Sequence, residues 1–251
     1  MVTRVKTPAE IQSMRESGRQ LATVLQYLRE NIAAGMTTKE VADLAAVKLQ
    51  SLGGKPAFLG YYGFPDVICI SINDEVVHGI PSSKRVIKDG DIVSLDFGVK
   101  VNGMITDAAI SVVIGERTSS AKQRLVDITE AALLAGLAKI HDGVHVGTIA
   151  HAIEDVLKKQ KYGIVRDLVG HGVGHELHEE PNIPNYGKAN TGMKLQAGMT
   201  IAVEPMATMQ DYKVYTDSDG WTVKTADKSL SAHFEHTILI TQTGAEILTA
   251  L

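Results

Sequence analysis

The sequence predicts an α+β fold built from two similar halves. Amphipathic helices with capping signals open each half, segments rich in β-branched residues follow them, and matched residues recur at a fixed spacing.

Thr7-Pro8-Ala9-Glu10 combines a capping box with proline at the first helical position. Ile11, Met14, Gly18, Leu21, Leu25 and Leu28 then share one face, which predicts a long helix to about Ala34. A second capping signal, Thr37-Thr38-Lys39-Glu40, opens a helix that turns Val41, Leu44, Ala45 and Leu49 inward and stops at Gly53-Gly54. Strands are expected over Val67 to Ile72, Asp91 to Val99 and Met104 to Ile114. The order then restarts, with helices opening near Ser120 and Thr148 and strands around Ile164 to Val169, Met199 to Ala207 and His233 to Thr241.

Four matched positions tie the halves together, each partner lying 108 residues on: Ile32 and Ile140, Gly35 and Gly143, Gly90 and Gly198, Asp96 and Glu204. One such match could arise by chance, whereas four at a single offset predict a duplicated architecture about a pseudo-two-fold axis. The expectation is a single domain over 1–251, with halves of about 7–115 and 119–251, in which outer helices cover a shared sheet.

A hydrophobic content of 44% over 251 residues is enough for a substantial core. The formal charge of -4 comes from interspersed residues, so no basic patch points to nucleic acid or an anionic membrane. The opening Met1-Val2-Thr3-Arg4-Val5-Lys6 lacks a signal-peptide core, and no apolar stretch approaches the roughly 20 residues that span a bilayer. A cytoplasmic protein is expected. The single cysteine, Cys69, excludes an internal disulfide and a cysteine-built zinc module.

Acids stand where a core should be. Asp96 ends Ile92-Val93-Ser94-Leu95, and Glu204 ends Ile201-Ala202-Val203; a carboxylate there is expensive unless paired or bound to metal. Strand alternation puts Ser94 and Gly98 beside Asp96, and Thr200 and Ala202 beside Glu204, which leaves room for a cavity. Asp107 and Glu235 add two more acids in strand-like sequence. A single buried acid is ordinarily bonded to backbone amides or an arginine. Four together, in strands almost free of lysine and arginine, point to divalent cations, and to hard or borderline ions such as manganese, iron or cobalt.

The segment Gly170-His171-Gly172-Val173-Gly174-His175-Glu176-Leu177-His178 carries three close glycines and reads as strand into loop rather than as a helical zinc motif. His141, His145 and His151 have no suggested acidic partner, and His175 and His236 are read as structural. His78 borders a turn after Asn73-Asp74-Glu75-Val76-Val77.

His78-Gly79-Ile80-Pro81, Asp96, Asp107, Gly170-His171-Gly172-Val173-Gly174, His178-Glu179, Glu204-Pro205-Met206 and Glu235-His236-Thr237 together resemble type I methionine aminopeptidase, short bacterial-type form. Any one of these motifs is modest, while the ordered set is specific and extends from Thr7 almost to the C-terminus. The resemblance implies the pita-bread fold, with a central curved antiparallel sheet and outer helices. It also implies two divalent ions, cobalt, manganese or iron, one held by Asp96, Asp107 and Glu235 and the other by Asp107, His171, Glu204 and Glu235. His78 and His178 become catalytic groups at the peptide carbonyl, and Glu204 a proton shuttle.

The same resemblance implies a substrate pocket of Tyr61, Phe64, Cys69, His78, Leu177, His178 and Trp221. Cys69 also suits a core strand, and Phe64 a turn anchor. Trp221 falls in the stretch that lengthens the Asp107 to Glu235 spacing by 20 residues beyond the repeat offset, as an aromatic on an inserted loop. Leu177 replaces the aromatic often found there in bacterial members. The implied activity is removal of N-terminal methionine before a small second residue, by a monomer that meets its peptide substrates in transient association with the ribosome. Two rivals share the fold: a Xaa-Pro aminopeptidase or prolidase, and a noncatalytic protein that binds nascent chains or ribosomes. The absence of a large extension before Thr7 and the complete ligand set favour methionine removal.

Overall fold

The computed structural model describes residues 3–115 and 119–251. Met1 and Val2, from the opening stretch read for a leader, lie outside the described residues. Helix α1, Pro8–Asn31, starts with the expected capping box: the Glu10 amide donates to Thr7 Oγ1, and the Thr7 amide donates to Glu10 Oε2 at 2.7 Å. It ends at Asn31, short of Ala34, because Ile32 takes extended backbone. Gly18 allows α1 to lie against the C-terminal segment, since a Cβ there would come within 2.1 Å of the Leu248 carbonyl oxygen. Helix α2, Thr38–Leu52, repeats the capping box with Thr37 and Glu40 and stops at Gly53, whose φ of +83° is left-handed. Helices α3, Ser120–Leu137, and α4, Val146–Lys159, open the second half, α4 two residues before Thr148.

The first half contributes a four-stranded antiparallel sheet. Ile92–Val101 pairs with Met104–Val113 along one edge, and with Lys55–Pro56 and Cys69–Ile72 along the other. In the second half, a five-stranded sheet runs Ala245–Ile247, His236–Ile240, Thr200–Val203, Gly170–Gly172, Glu179–Ile183. The two sheets meet where Ala109 and Glu235 exchange backbone hydrogen bonds at 2.9 and 3.2 Å.

Several expected strands are shorter or broken. The stretch from Met199 to Ala207 divides at Glu204-Pro205 into Thr200–Val203 and Met206–Thr208, which join different sheets, because proline has no amide to continue a ladder. The stretch beginning near His233 divides at Phe234-Glu235 into Ser231–His233 and His236–Ile240. The breaks coincide: Ser231–His233 pairs with Met206–Thr208, and His236–Ile240 pairs with Thr200–Val203. Both segments therefore change sheets side by side, and Glu204 and Glu235 sit at the crossing. Of Ile164 to Val169 only Ile164 is strand, as the end of Gly163–Ile164.

Two apolar cores lie under the helices. One packs Leu21, Leu25 and Leu28 of α1 and Val41 and Leu49 of α2 onto Leu95 and Phe97. The other packs Leu133 of α3 and Ile149, Ile153 and Leu157 of α4 onto Ile201 and Ile238. Each such side chain contributes about 1.5–3 kcal/mol on burial, so this stabilisation does not depend on the acids. A third cluster, including Phe58, Phe64, Cys69 and Leu177, surrounds the space between the halves.

Candidate functional site

All twelve side chains singled out in the sequence line one cavity of about 340 Å³ between the halves. Asp96 reaches it from the middle of Ile92–Val101, opposite Cys69 on one neighbour and Ala109 on the other, and Asp107 from the adjoining strand. His171 comes from Gly170–Gly172, next to Ala202 of the strand that leads into Glu204. The first half thus supplies two acids, and the second supplies two acids and a histidine.

Asp96, Asp107 and Glu235 are buried and Glu204 is half-buried, with no cationic lysine or arginine in ion-pair reach among the described residues. Only His171 and His233 approach, at 3.4 and 3.7 Å from the two oxygens of Glu204. Burial, reinforced by the neighbouring carboxylates, holds Asp96, Glu204 and Glu235 well above the usual carboxylate range, and burial pushes Asp107 up to about 7. Asp96 Oδ1, Asp107 Oδ1 and Glu235 Oε1 are buried and make no hydrogen bond. Orphaned acceptors of this kind are costly unless compensated, and a divalent cation would satisfy them.

The donors fit a divalent ion. Asp107, His171 and Glu235 can each offer an atom within 4.8 Å of the others. His171 Nδ1 lies 2.9 Å from the Gly172 carbonyl oxygen, which only accepts, so Nδ1 carries the proton and Nε2 keeps a free lone pair. Burial lowers its pKa to about 3, which keeps that ring neutral.

Two further histidines face the acids. The His178 ring lies 4.3 Å from the His171 ring between centroids, and its Nδ1 is 2.9 Å from the Tyr61 hydroxyl. His78 adopts a left-handed φ of +61° at the turn. Burial holds it neutral, with a pKa lowered to about 4. The following Gly79 is packed so closely that a Cβ would come within 2.2 Å of the Ile70 carbonyl oxygen. Arg85 braces this turn, donating to the Ile80 and Ile70 carbonyls at 2.6 and 3.2 Å while paired with Glu75.

Apolar side chains close the remaining wall. Phe64 meets Trp221 edge to face, with centroids 5.2 Å apart, and Cys69 and Leu177 are buried beside them. Trp221 follows the hairpin strand Val214–Thr216 and precedes its partner Val223–Thr225, and of this hairpin it is the residue that lines the cavity.

Residues 12–242 match Metallopeptidase family M24. Methionine aminopeptidase 1 of Bacillus subtilis is 45% identical over 244 residues, covering 97% of this chain and 98% of the relative. The crystal structure of the Thermotoga maritima methionine aminopeptidase superposes with a TM-score of 0.97 at 44% identity, covering 100% of each chain. The chain belongs to metallopeptidase family M24, among its methionine aminopeptidases. A more distant likeness, to the prolidase of Pyrococcus furiosus, has a TM-score of 0.79 at 24% identity and covers 98% of this chain and 65% of that one, which speaks for the shared fold alone.

This M24 metallopeptidase has the pita-bread fold and is an enzyme, a metallo-exopeptidase. No described helix is long and apolar enough to cross a membrane. Three residues near its site escaped the sequence reading. Phe58 fills the space that Gly98 leaves beside Asp96, since a Cβ on Gly98 would fall 2.6 Å from Phe58 Cε1; nothing in the sequence signals that contact. Tyr62, exposed and left-handed at φ +46°, lies against Tyr61 at the cavity. His233 is buried with neither ring nitrogen bonded. Its position two before Glu235, in a stretch that the sequence presents as one strand, is the signal that points to it.

Of the histidines set aside as structural, His236 Nδ1 bonds Thr249 at 2.9 Å, while His141 and His145 face backbone carbonyls of Asp142 and Gly192. His151 lies 3.8 Å from Asp155 on the surface of α4.

Proposed function

We propose that this enzyme removes the initiator methionine from polypeptides whose second residue is small, using two divalent ions of cobalt, manganese or iron. The observation that carries the reading is the meeting of five ligating side chains, three with orphaned oxygens, and a wall of Phe64, Cys69, Leu177 and Trp221 in one cavity. Asp96, Asp107 and Glu235 would hold one ion, and Asp107, His171, Glu204 and Glu235 the other, with Asp107 and Glu235 shared. Bound there, such ions supply Lewis acidity for the peptide carbonyl and lower the pKa of water.

The chain's own groups do the rest. An unbranched, polarisable methionine side chain fills a pocket of aromatic rings and sulfur well. His178, oriented by the Tyr61 hydroxyl, and His78, held at its braced turn, donate hydrogen bonds to the substrate carbonyl and to the negative charge that grows on it. Both are neutral at physiological pH, because burial lowers their pKa values, so each can donate without placing a fixed positive charge beside the ions. Glu204 receives the proton of the attacking water and passes it to the leaving amine. The two rings beside the scissile bond leave little room for a large second side chain.

The reading extends to a single catalytic domain of two halves, about 7–115 and 119–251, working in the cytoplasm as a monomer on chains that emerge from the ribosome. The test is hydrolysis of Met-Ala-Ser and of Xaa-Pro peptides by metal-reconstituted enzyme. Release of methionine from the first supports the proposal. Preference for Xaa-Pro whatever the first residue would assign the chain to prolidase-like chemistry, and no hydrolysis of either would leave a binding protein.

A further inference from the structure

His178 and Leu177 lie on a turn, and a single carboxylate closes that turn from behind. Glu179 Oε1 accepts from the amides of His175 and Glu176 at 2.8 and 3.0 Å. Its other oxygen lies 3.3 Å from Lys6 Nζ, with side-chain exposures of 0% for Lys6 and 2% for Glu179. Lys6 also donates to Thr3 Oγ1 at 2.8 Å and to the Arg4 carbonyl at 3.2 Å. Its stem packs on Gly174, where a Cβ would fall 2.5 Å from Lys6 Cε.

The segment carrying Lys6 is itself fastened. Thr3 donates its amide to the Glu180 carbonyl at 2.6 Å, and Lys6 donates its amide to the Gly198 carbonyl at 2.8 Å. A second grip comes from the cap of α1. Glu10 Oε2 takes the Thr7 amide, while Oε1 lies 2.7 Å from His175 Nε2.

A fully buried ion pair is a poor device for stability, since apolar residues of similar volume serve as well or better. What the pair does supply is a fixed geometry for the backbone bonded to it. We infer that Lys6, through Glu179, and Glu10, through His175, are positioning residues that set the Leu177–His178 turn against the substrate carbonyl, so that the segment preceding α1 and the first turn of α1 together position His178. The inference rests on the proposed role of His178. None of these four side chains lines the cavity.

The experiment uses the full, metal-loaded chain with Lys6→Met, His175→Ala and His175→Gln, each alone and combined with His178→Ala. His175→Ala removes the Glu10 contact and the 3.7 Å approach of Nδ1 to Glu179 but keeps the groups of the Lys6–Glu179 pair and of both backbone bonds, so it remains informative if Lys6→Met fails to fold. Misplacing a reacting group by an ångström can lower the rate by about 100-fold, so a fall in kcat of about 10-fold or more is expected for Lys6→Met, and a smaller one for His175→Ala. KM and metal affinity should stay near wild type. Glutamine at position 175, which can still donate to Glu10, should recover most of the loss. In the His178→Ala background the same changes should cost nothing further. Wild-type kcat in the folded single variants, or equal losses with and without His178, would overturn the inference. An unchanged kcat in His178→Ala alone would instead overturn the role of His178 itself.

Discussion

Thr237 and Asp107, 130 residues apart, exchange two hydrogen bonds through one hydroxyl: Thr237 Oγ1 accepts from the Asp107 amide and donates to the Asp107 carbonyl, each at 2.8 Å. A side chain of the second half thereby holds the backbone of an acid from the first. Thr237→Val keeps the shape and strands both backbone groups in a fully buried place. A loss of about 1–3 kcal/mol for each unsatisfied group is expected, with weakened metal binding. Thermal unfolding and metal titration of the same variant measure the two effects.

Asp107→Asn and Glu204→Gln conserve volume and remove charge from the acid cluster. Turnover should fall by about 100-fold or more, as expected for loss of a general acid–base group or of a ligand, while expression and helix content stay close to wild type. Steady-state kinetics beside circular dichroism would separate the effects. A Glu204→Gln enzyme with undiminished kcat and confirmed metal content would remove the proton-shuttle role.

His178→Ala should act on kcat rather than on metal occupancy, because its proposed bond strengthens as negative charge develops on the carbonyl. Loss of one such donor lowers kcat by about 100- to 1000-fold. Single-turnover rates with metal content measured on the same sample test it.

Metal affinity should rise with pH. Asp107 holds its proton up to about pH 7 in the metal-free protein because of burial, and Asp96, Glu204 and Glu235 also hold theirs well above the ordinary range, so binding an ion must expel protons. His171, lowered to about 3, is already neutral and releases none. The apparent dissociation constant should therefore increase as pH falls from 7 towards 5. Calorimetric titrations in two buffers of different ionisation enthalpy should show net proton release; a buffer-independent heat would contradict it.

Selectivity should lie in two places. Methionine followed by Ala, Gly or Ser should be cleaved, and methionine followed by Lys, Arg or Phe should not. Leu177→Ala, which widens the first pocket, should raise KM for methionine substrates and narrow their advantage over leucine. Shape discrimination in an apolar pocket is worth only about 10- to 200-fold per methylene, so the shift should be graded. Values of kcat/KM across peptides varied separately at the first and second positions are the measurement.

The acids were legible because a carboxylate inside a run such as Ile92-Val93-Ser94-Leu95-Asp96 is a physical anomaly that needs compensation. The helices were legible from capping boxes and periodicity. His78 and His178 stood out only through the family resemblance, since a histidine at a turn has many ordinary uses. The strand breaks at Glu204-Pro205 and Phe234-Glu235 were not legible, because an apolar run has the same pattern whether it stays in one sheet or crosses to another. Phe58 was hidden for a similar reason: Gly98 announces vacant space but not which distant side chain fills it.

The shared sheet crossing has a consequence for partly folded molecules. Asp96 and Asp107 come from one half, and His171, Glu204 and Glu235 from the other, so a nascent or damaged chain with only one half in place carries an incomplete set of the proposed ligands. Such a molecule would be inert rather than indiscriminate. On the proposed ligand assignment, peptide-bond hydrolysis by this chain is thereby conditional on assembly, and a half-made molecule poses no proteolytic hazard to the chains around it.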